Sequence, residues 1–316
     1  GSYDGMMINA SINDKNIFGS GKTLGFSVEA SERSMSYDIS IKNPAINDSE
    51  YSGSFHIYNT TSEIDSYDET DAQTYTLTVE KNGMSVGAGK KISRHTGAGA
   101  TYKLESVTQT DTDPSESNES YITSSITPYI NYNTTDDFYL PRNGSKFNSS
   151  FEIAGLGGDS KYIKNINTFK TFHSLEKSFD KDWIIRYRAS IKILEDLGQI
   201  NDGDSFYLGG MKSVRGYQSY AFGPDDTNET PYKRFAANTI ELNMPLIPKA
   251  KMRWGVFLDA GTIGKDDFTE ITKAGYGAQL EWFSPVGPIA FVFANPLNAD
   301  TGDKTSSFEF SLGSSF

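Results

Sequence analysis

Cysteine is absent from the 316 residues, which removes any disulfide framework or thiolate metal site. No run of about 18 or more apolar residues occurs either, so no helix of this chain can cross a bilayer. Histidine is scarce: His56, His95 and His173 are dispersed, lack the His-Glu-x-x-His spacing of a zinc site, and read as surface residues. Basic residues are outnumbered, 29 Lys and Arg against 41 Asp and Glu, and the formal charge of -12 sets nucleic acid aside because phosphate binding needs clustered cations. Neither a Gly-x-Ser-x-Gly nucleophile elbow nor a Gly-x-x-x-x-Gly-Lys phosphate loop is present. The expectation is a protein that is not an enzyme and needs no metal or cofactor. The opening Gly1-Ser2-Tyr3-Asp4-Gly5 carries no signal peptide, and reads as a mature fragment or a piece cut from something longer.

What the sequence has in abundance is alternation. From Trp183 to Ile193, Trp183, Ile185, Tyr187, Ala189, Ile191 and Ile193 fall on one strand face, with Arg186, Arg188, Ser190 and Lys192 on the other. Lys251 to Thr262 repeats this, with Met252, Trp254, Val256 and Leu258 opposing Arg253, Phe257 and Asp259. Fifteen such segments are expected, near 6–13, 23–31, 34–43, 51–64, 74–92, 97–110, 120–133, 145–154, 162–172, 183–194, 235–245, 251–262, 272–283, 288–295 and 306–316. Their spacing, roughly 21 residues per strand and connection, accommodates the roughly 9 to 11 residues that a tilted strand needs to cross a bilayer. Compact connections (Asn16 to Lys22, Ser93 to Thr96, Pro245 to Ala250, Ser284 to Gly287) alternate with longer, often acidic ones (Ser62 to Ala72, Asp111 to Glu119, Glu195 to Arg234), as short turns and long outer loops do in membrane barrels. The mean hydropathy of -0.49 fits, because only alternate strand residues of a barrel meet lipid. A soluble β-sandwich or propeller also alternates, but the apolar faces here end in Trp183, Trp254 and Trp282, as an interfacial aromatic girdle does. The fold class expected is all-β: one transmembrane antiparallel β-barrel over 1–316, with about fifteen strands present.

The segment Glu195 to Arg234 is too long for a hairpin loop, and long structureless connections are commonly functional. At its centre stands Val214-Arg215-Gly216-Tyr217. This resembles the conserved Val-Arg-Gly-Tyr/Phe loop of the superfamily of BamA-type assembly factors, TamA and the two-partner-secretion transporters. Leu140-Pro141-Arg142-Asn143-Gly144, Leu280-Glu281-Trp282-Phe283-Ser284-Pro285 and Asn16-Ile17-Phe18-Gly19 resemble turns of that family, the last those of BamA-type members. The final alternating segment, with Phe308, Phe310, Leu312 and the terminal Phe316, resembles the β-signal by which outer-membrane barrels are recognised for assembly.

The resemblance implies an infolded loop, about 195–234, whose Arg215 pairs with Glu241 and Asp259 on the inner wall. Strand parity separately turns both acids inward, since Ile240, Leu242 and Met244, and Trp254, Val256 and Leu258, occupy the opposite faces. The resemblance also implies sixteen strands in the intact protein, the first missing here, with soluble periplasmic domains upstream. It implies a lateral gate between first and last strands, with 306–316 as one side, that inserts and folds β-barrel proteins in the bacterial outer membrane. Unfolded outer-membrane protein clients, outer-membrane lipid and accessory periplasmic lipoproteins are the partners implied. A two-partner-secretion transporter that exports a polypeptide through its lumen is the alternative, and a diffusion porin, lacking the arginine loop, is a third class.

Overall fold

A computed structural model describes residues 8–31, 33–67, 73–112, 118–200, 204–224, 230–284 and 287–312. The strands are β1 Ile8–Asp14, β2 Thr23–Ala30, β3 Ser34–Asn43, β4 Tyr51–Tyr67, β5 Gln73–Lys91, β6 Thr96–Asp111, β7 Glu119–Asn133, β8 Gly144–Ala154, β9 Lys161–Ser174, β10 Ile184–Gln199, β11 Arg234–Ile247, β12 Met252–Gly264, β13 Ile271–Ser284, β14 Gly287–Pro296 and β15 Phe308–Leu312. They form one fifteen-stranded antiparallel meander in sequence order, each strand paired with its neighbours in the chain. Among the described residues β1 pairs with β2 and β15 with β14, and no ladder joins β1 to β15. No described helix is long and apolar enough to cross a membrane, which says nothing of crossing by strands.

The two faces of the sheet invert the usual distribution of polarity. Ile39, Ile57, Val86 and Leu258 are about half exposed (48%, 47%, 55% and 47%), whereas Arg186, Glu241 and Asp259 are 3%, 1% and 0% exposed. A sandwich in water buries its apolar face and solvates its charges, so this pattern belongs to a barrel with a lipid-facing exterior and a polar, packed interior. Trp254 and Trp282 lie outward near one end of the wall, opposite Leu280 and Met252 respectively, where an interfacial girdle sits.

Several strands outrun their expected limits. β4 and β10 continue to Tyr67 and Gln199, so the connections expected from Ser62 and Glu195 begin with strand. β10 reaches Gln199 through a register shift after Asp196, and β11 reaches Ile247 through one after Pro245, a place where a residue without N–H is tolerated. Alternation weakens at these ends because they project past the apolar band: β5 has 19 residues, far more than a crossing requires. Residues 68–72, which hold much of an acidic stretch, lie outside the described residues, as does Phe316.

At the end of the sheet opposite Tyr67 and Gln199, connections are held by their own hydrogen bonds. In the β7–β8 turn Asp136 accepts hydrogen bonds from the backbone N–H groups of Arg142 (2.9 Å) and Asn143 (3.1 Å) and from the Asn143 side chain (3.3 Å). Partial burial pushes its carboxyl upward, but these donors together outweigh that and hold it below the usual carboxylate range.

Candidate functional site: the infolded loop and its lock

The β10–β11 connection turns back against the inner wall as a narrowing hairpin. Phe206 N–H donates to Tyr232 O (3.0 Å), Leu208 and Phe222 exchange two backbone bonds (2.8 and 3.1 Å), and Gly210 N–H donates to Tyr217 O (3.0 Å). From the loop, Phe206, Leu208, Val214, Tyr217 and Phe222 pack with Leu194, Phe235 and Ile263 of the wall in one buried apolar cluster. Inward apolar residues on β10–β12 therefore match the loop's own apolar side chains, which removes both from water. The segment is a built part of the interior.

Arg215 stands at the tip, 2% exposed. Its Nε and Nη2 donate to Asp259 Oδ2 (2.7 Å) and Oδ1 (2.8 Å), a two-point fork, and its own backbone N–H donates to Asp259 Oδ2 (3.0 Å). Nη1 donates to Gln279 Oε1 on β13 (2.7 Å), and the guanidinium carbon lies 3.3 Å from the centre of the Phe257 ring. A cation in such a dry site is costly unless its donors are matched, and here an acid, an amide and an aromatic face match them. Two glycines let the main chains approach: a Cβ on Gly275 would meet Arg215 O at 2.0 Å, and one on Gly216, at φ +99°, would meet the Asn295 carbonyl carbon at 2.8 Å.

Glu241 occupies a different place from Asp259. It lies between two guanidiniums, with Oε2 3.6 Å from Arg215 Nη1 and Oε1 3.2 Å from Arg186 Nη1, and neither oxygen is hydrogen-bonded among the described residues. From there a polar chain runs along the wall to the turns. Arg186 donates to both oxygens of Glu281 (2.9 and 2.8 Å), Asn243 Nδ2 also donates to Glu281 (2.8 Å), and Arg253 Nε donates to Asn243 Oδ1. Arg253 Nη1 then donates to Asp182 (2.8 Å), which also receives a two-point fork from Arg142 (2.6 and 3.0 Å). The chain thus joins the loop tip to the β7–β8 and β9–β10 turns through ion pairs and one amide contributed by β10, β11, β12 and β13.

Val214, Arg215, Gly216 and Tyr217 are all buried at the loop tip, and Arg215 meets Asp259 directly and Glu241 at longer range. Phe308 is outward and packs its ring 5.2 Å from Phe293; Phe310 is half-buried, and the backbone of Leu312 closes the β14–β15 ladder against Ile289. Gln279, Phe257, Arg186, Glu281 and Arg253 were not expected at the site. Register is the signal that reaches the charged ones: Arg186 is paired with Glu241 across β10–β11, and Arg253 with Glu281 across β12–β13. His95 and His173 are exposed, but His56 faces inward, half-buried against Asp38, and so departs from the surface position expected of it.

A membrane-spanning antiparallel barrel whose interior holds an arginine-pinned loop is the class that this fold and site define. The Omp85 superfamily domain matches residues 16–316, and the chain belongs to that superfamily, a β-barrel protein of the bacterial outer membrane. The outer membrane protein assembly factor BamA of Nitratidesulfovibrio vulgaris is 26% identical over 98% of this chain and 40% of its own length. That of Neisseria meningitidis serogroup B is 27% identical over 58% of this chain and 28% of its own. The chain thus spans about two fifths or less of these relatives. Among solved structures, BamA from Haemophilus ducreyi lacking POTRA domains 1–3 superposes with a TM-score of 0.83 at 20% identity, over 97% of this chain and 67% of that one. CdiB from Acinetobacter baumannii does so at 0.67 and 17% identity, over 96% and 55%. These superpositions speak for the fold.

Proposed function

We propose that this chain is the barrel of a BamA-type assembly factor, which inserts and folds β-barrel proteins in the outer membrane by letting client strands pair at a lateral gate. The observation that carries the reading is the edge of the sheet. Among the described residues the β14–β15 ladder has five residue pairs, Ile289 with Leu312 through Phe293 with Phe308, and the other edge of β15 has no partner. Main-chain N–H and C=O groups facing hydrocarbon are costly when unpaired, so a strand edge of this kind favours pairing with another strand. Strand addition uses backbone hydrogen bonds alone and requires no catalytic residue or cofactor.

In this reading residues 1–316 form one barrel domain, and the Arg215 lock keeps the infolded loop seated while the edge works. Clients are unfolded outer-membrane proteins, helped by accessory periplasmic lipoproteins and by upstream periplasmic domains. Export of a polypeptide through the lumen is the alternative, supported by the likeness of fold to CdiB.

The test is Arg215→Ala in the whole protein in its own cell, scored by the amount of folded outer-membrane proteins and by protease cleavage of 200–233. Assembly is expected to fall and the loop to become cleavable. A protected loop with unchanged assembly overturns the proposal. Normal assembly with loss of one secreted polypeptide selects export instead.

A further inference from the structure

The Val-Arg-Gly-Tyr segment grips two things, and only one of them is the Arg215 site. On its other side, Ser306 N–H donates to Gly216 O (3.0 Å) and Gln218 N–H donates to Lys304 O (3.0 Å), so that Tyr217 and Thr305 face each other in an antiparallel bridge. Residues 304–306 lead directly into β15. Their pairing with the loop replaces pairing with β14: the last bond in that direction is Ala294 N–H to Ser307 O (3.0 Å), although β14 itself runs on to Pro296 against β13. Continuing the β14–β15 register would set Asn295 against Ser306 and Pro296 against Thr305. Gly216 occupies that place, its Cβ position 2.8 Å from the Asn295 carbonyl carbon and 2.9 Å from Pro296 N.

Lys273 fastens the junction. It is 4% exposed on β13, and its Nζ donates to Asp300 (2.7 Å) and Asp303 (2.6 Å) of the β14–β15 connection. The same ammonium lies 5.1 Å from the Phe222 ring centre and 6.0 Å from that of Tyr217, both in the infolded loop. Asn298 adds a further tie, accepting from Tyr217 OH (3.3 Å) and from Ala274 N–H (2.7 Å). A buried ammonium with two carboxylates and two aromatic rings from separate segments holds those segments to each other.

We propose that Gly216–Gln218 and Lys273 form a latch on the lead of the last strand, which keeps the β14–β15 ladder short and couples the seating of the infolded loop to the position of β15. Lys273 and Tyr217 are positioning residues in this device. Unseating Arg215 withdraws Gly216 from β14 and frees 304–306 to zip onto Asn295. The latch deepens the gate reading above and rests on it for its purpose, but its geometry is testable without any client.

Amide hydrogen exchange on the whole protein in lipid is the measurement, since each latch bond protects a named amide. In Lys273→Met, Gln218 and Ser306 are expected to lose at least tenfold in protection while β4–β8 remain unchanged, and Lys273→Arg is expected to restore them. In Arg215→Ala, the amides of 308–312 are expected to change together with those of 213–218. Asp303→Asn serves the same purpose should Lys273→Met fail to fold, and is expected to expose Gln218 and Ser306 alike. Unaltered Gln218 and Ser306 in the charge-removing variants, or an Arg215→Ala protein in which 213–218 open and 308–312 do not respond, overturns the latch. Since assembly is scored separately, a lost latch with impaired assembly leaves the gate reading in place, and an intact latch with normal assembly in Arg215→Ala removes that reading alone.

Discussion

Asp259 and Glu241 look equivalent as inward acids on adjacent strands, yet only Asp259 receives hydrogen bonds from Arg215. Removing one partner of a buried pair leaves the other charged and desolvated, at a cost of about 3–5 kcal/mol. Asp259→Ala is therefore expected to destabilise the folded barrel by about that much. Glu241→Gln, which takes away an acid that has no hydrogen bond and leaves Glu281 on Arg186, is expected to cost only about 1 kcal/mol. Urea unfolding in lipid vesicles checks the order, and an equal or reversed pair of values contradicts it. Both acids were legible in the sequence because parity on a strand is decided by nearest neighbours. Gln279 was not, since an inward glutamine looks the same whether it meets solvent or a guanidinium. Phe257 was hidden for the opposite reason: an aromatic on the inner face breaks the alternation, and its place under Arg215 and against Val292 and Ala294 is set by the folded loop and sheet.

At the scale of the element, the strand count was legible and the strand ends were not. Alternation reports contact with lipid, and it stops where a strand leaves the apolar band, so β4 and β10 continue through sequence that reads as loop. The infolded loop was legible from its length and its motif, whereas its backbone pairing with residues 304–306 left no mark, because main-chain bonds are indifferent to side-chain type. The same logic predicts how a strand tolerates charge. Leu258 is at the centre of β12 and points outward, next to Asp259, which points inward. Leu258→Arg is expected to destabilise the barrel by about 2–4 kcal/mol, the cost of a cation at the bilayer midplane. The same change at Ile46, 39% exposed in the β3–β4 turn outside the apolar band, provides the comparison. Equal tolerance at both sites in lipid-vesicle folding assays contradicts a lipid-facing β12.

Taken whole, the molecule is cross-linked unevenly from strand to strand. The polar chain from Arg215 to Arg142 and the apolar cluster beneath the loop cross-link the wall from β9 to β14. In the proposed reading access lies at β15, which is joined among the described residues to β14 by five residue pairs and to the infolded loop by its lead. A gate reading and an export reading place the passing polypeptide in different parts of this molecule, against the main-chain edge in one case and against the lumenal wall in the other. Photo-cross-linkers at three positions distinguish them: Phe310 on the edge strand, Ile57 on the lipid face of β4, and Lys103, which faces inward between Glu105 and Glu152. During assembly of a radiolabelled outer-membrane protein by the whole factor, adducts are expected from Phe310 and not from Ile57 or Lys103. The reason is that a strand added to β15 shares its hydrogen-bonding edge, whereas a strand near Ile57 meets a stretch of β4, residues 53–62, that is already paired with both β3 and β5. Adducts from Lys103 with none from Phe310 place the client in the lumen and defeat the gate, and labelling of Ile57 equal to that of Phe310 means that the polypeptide only touches the barrel from the lipid.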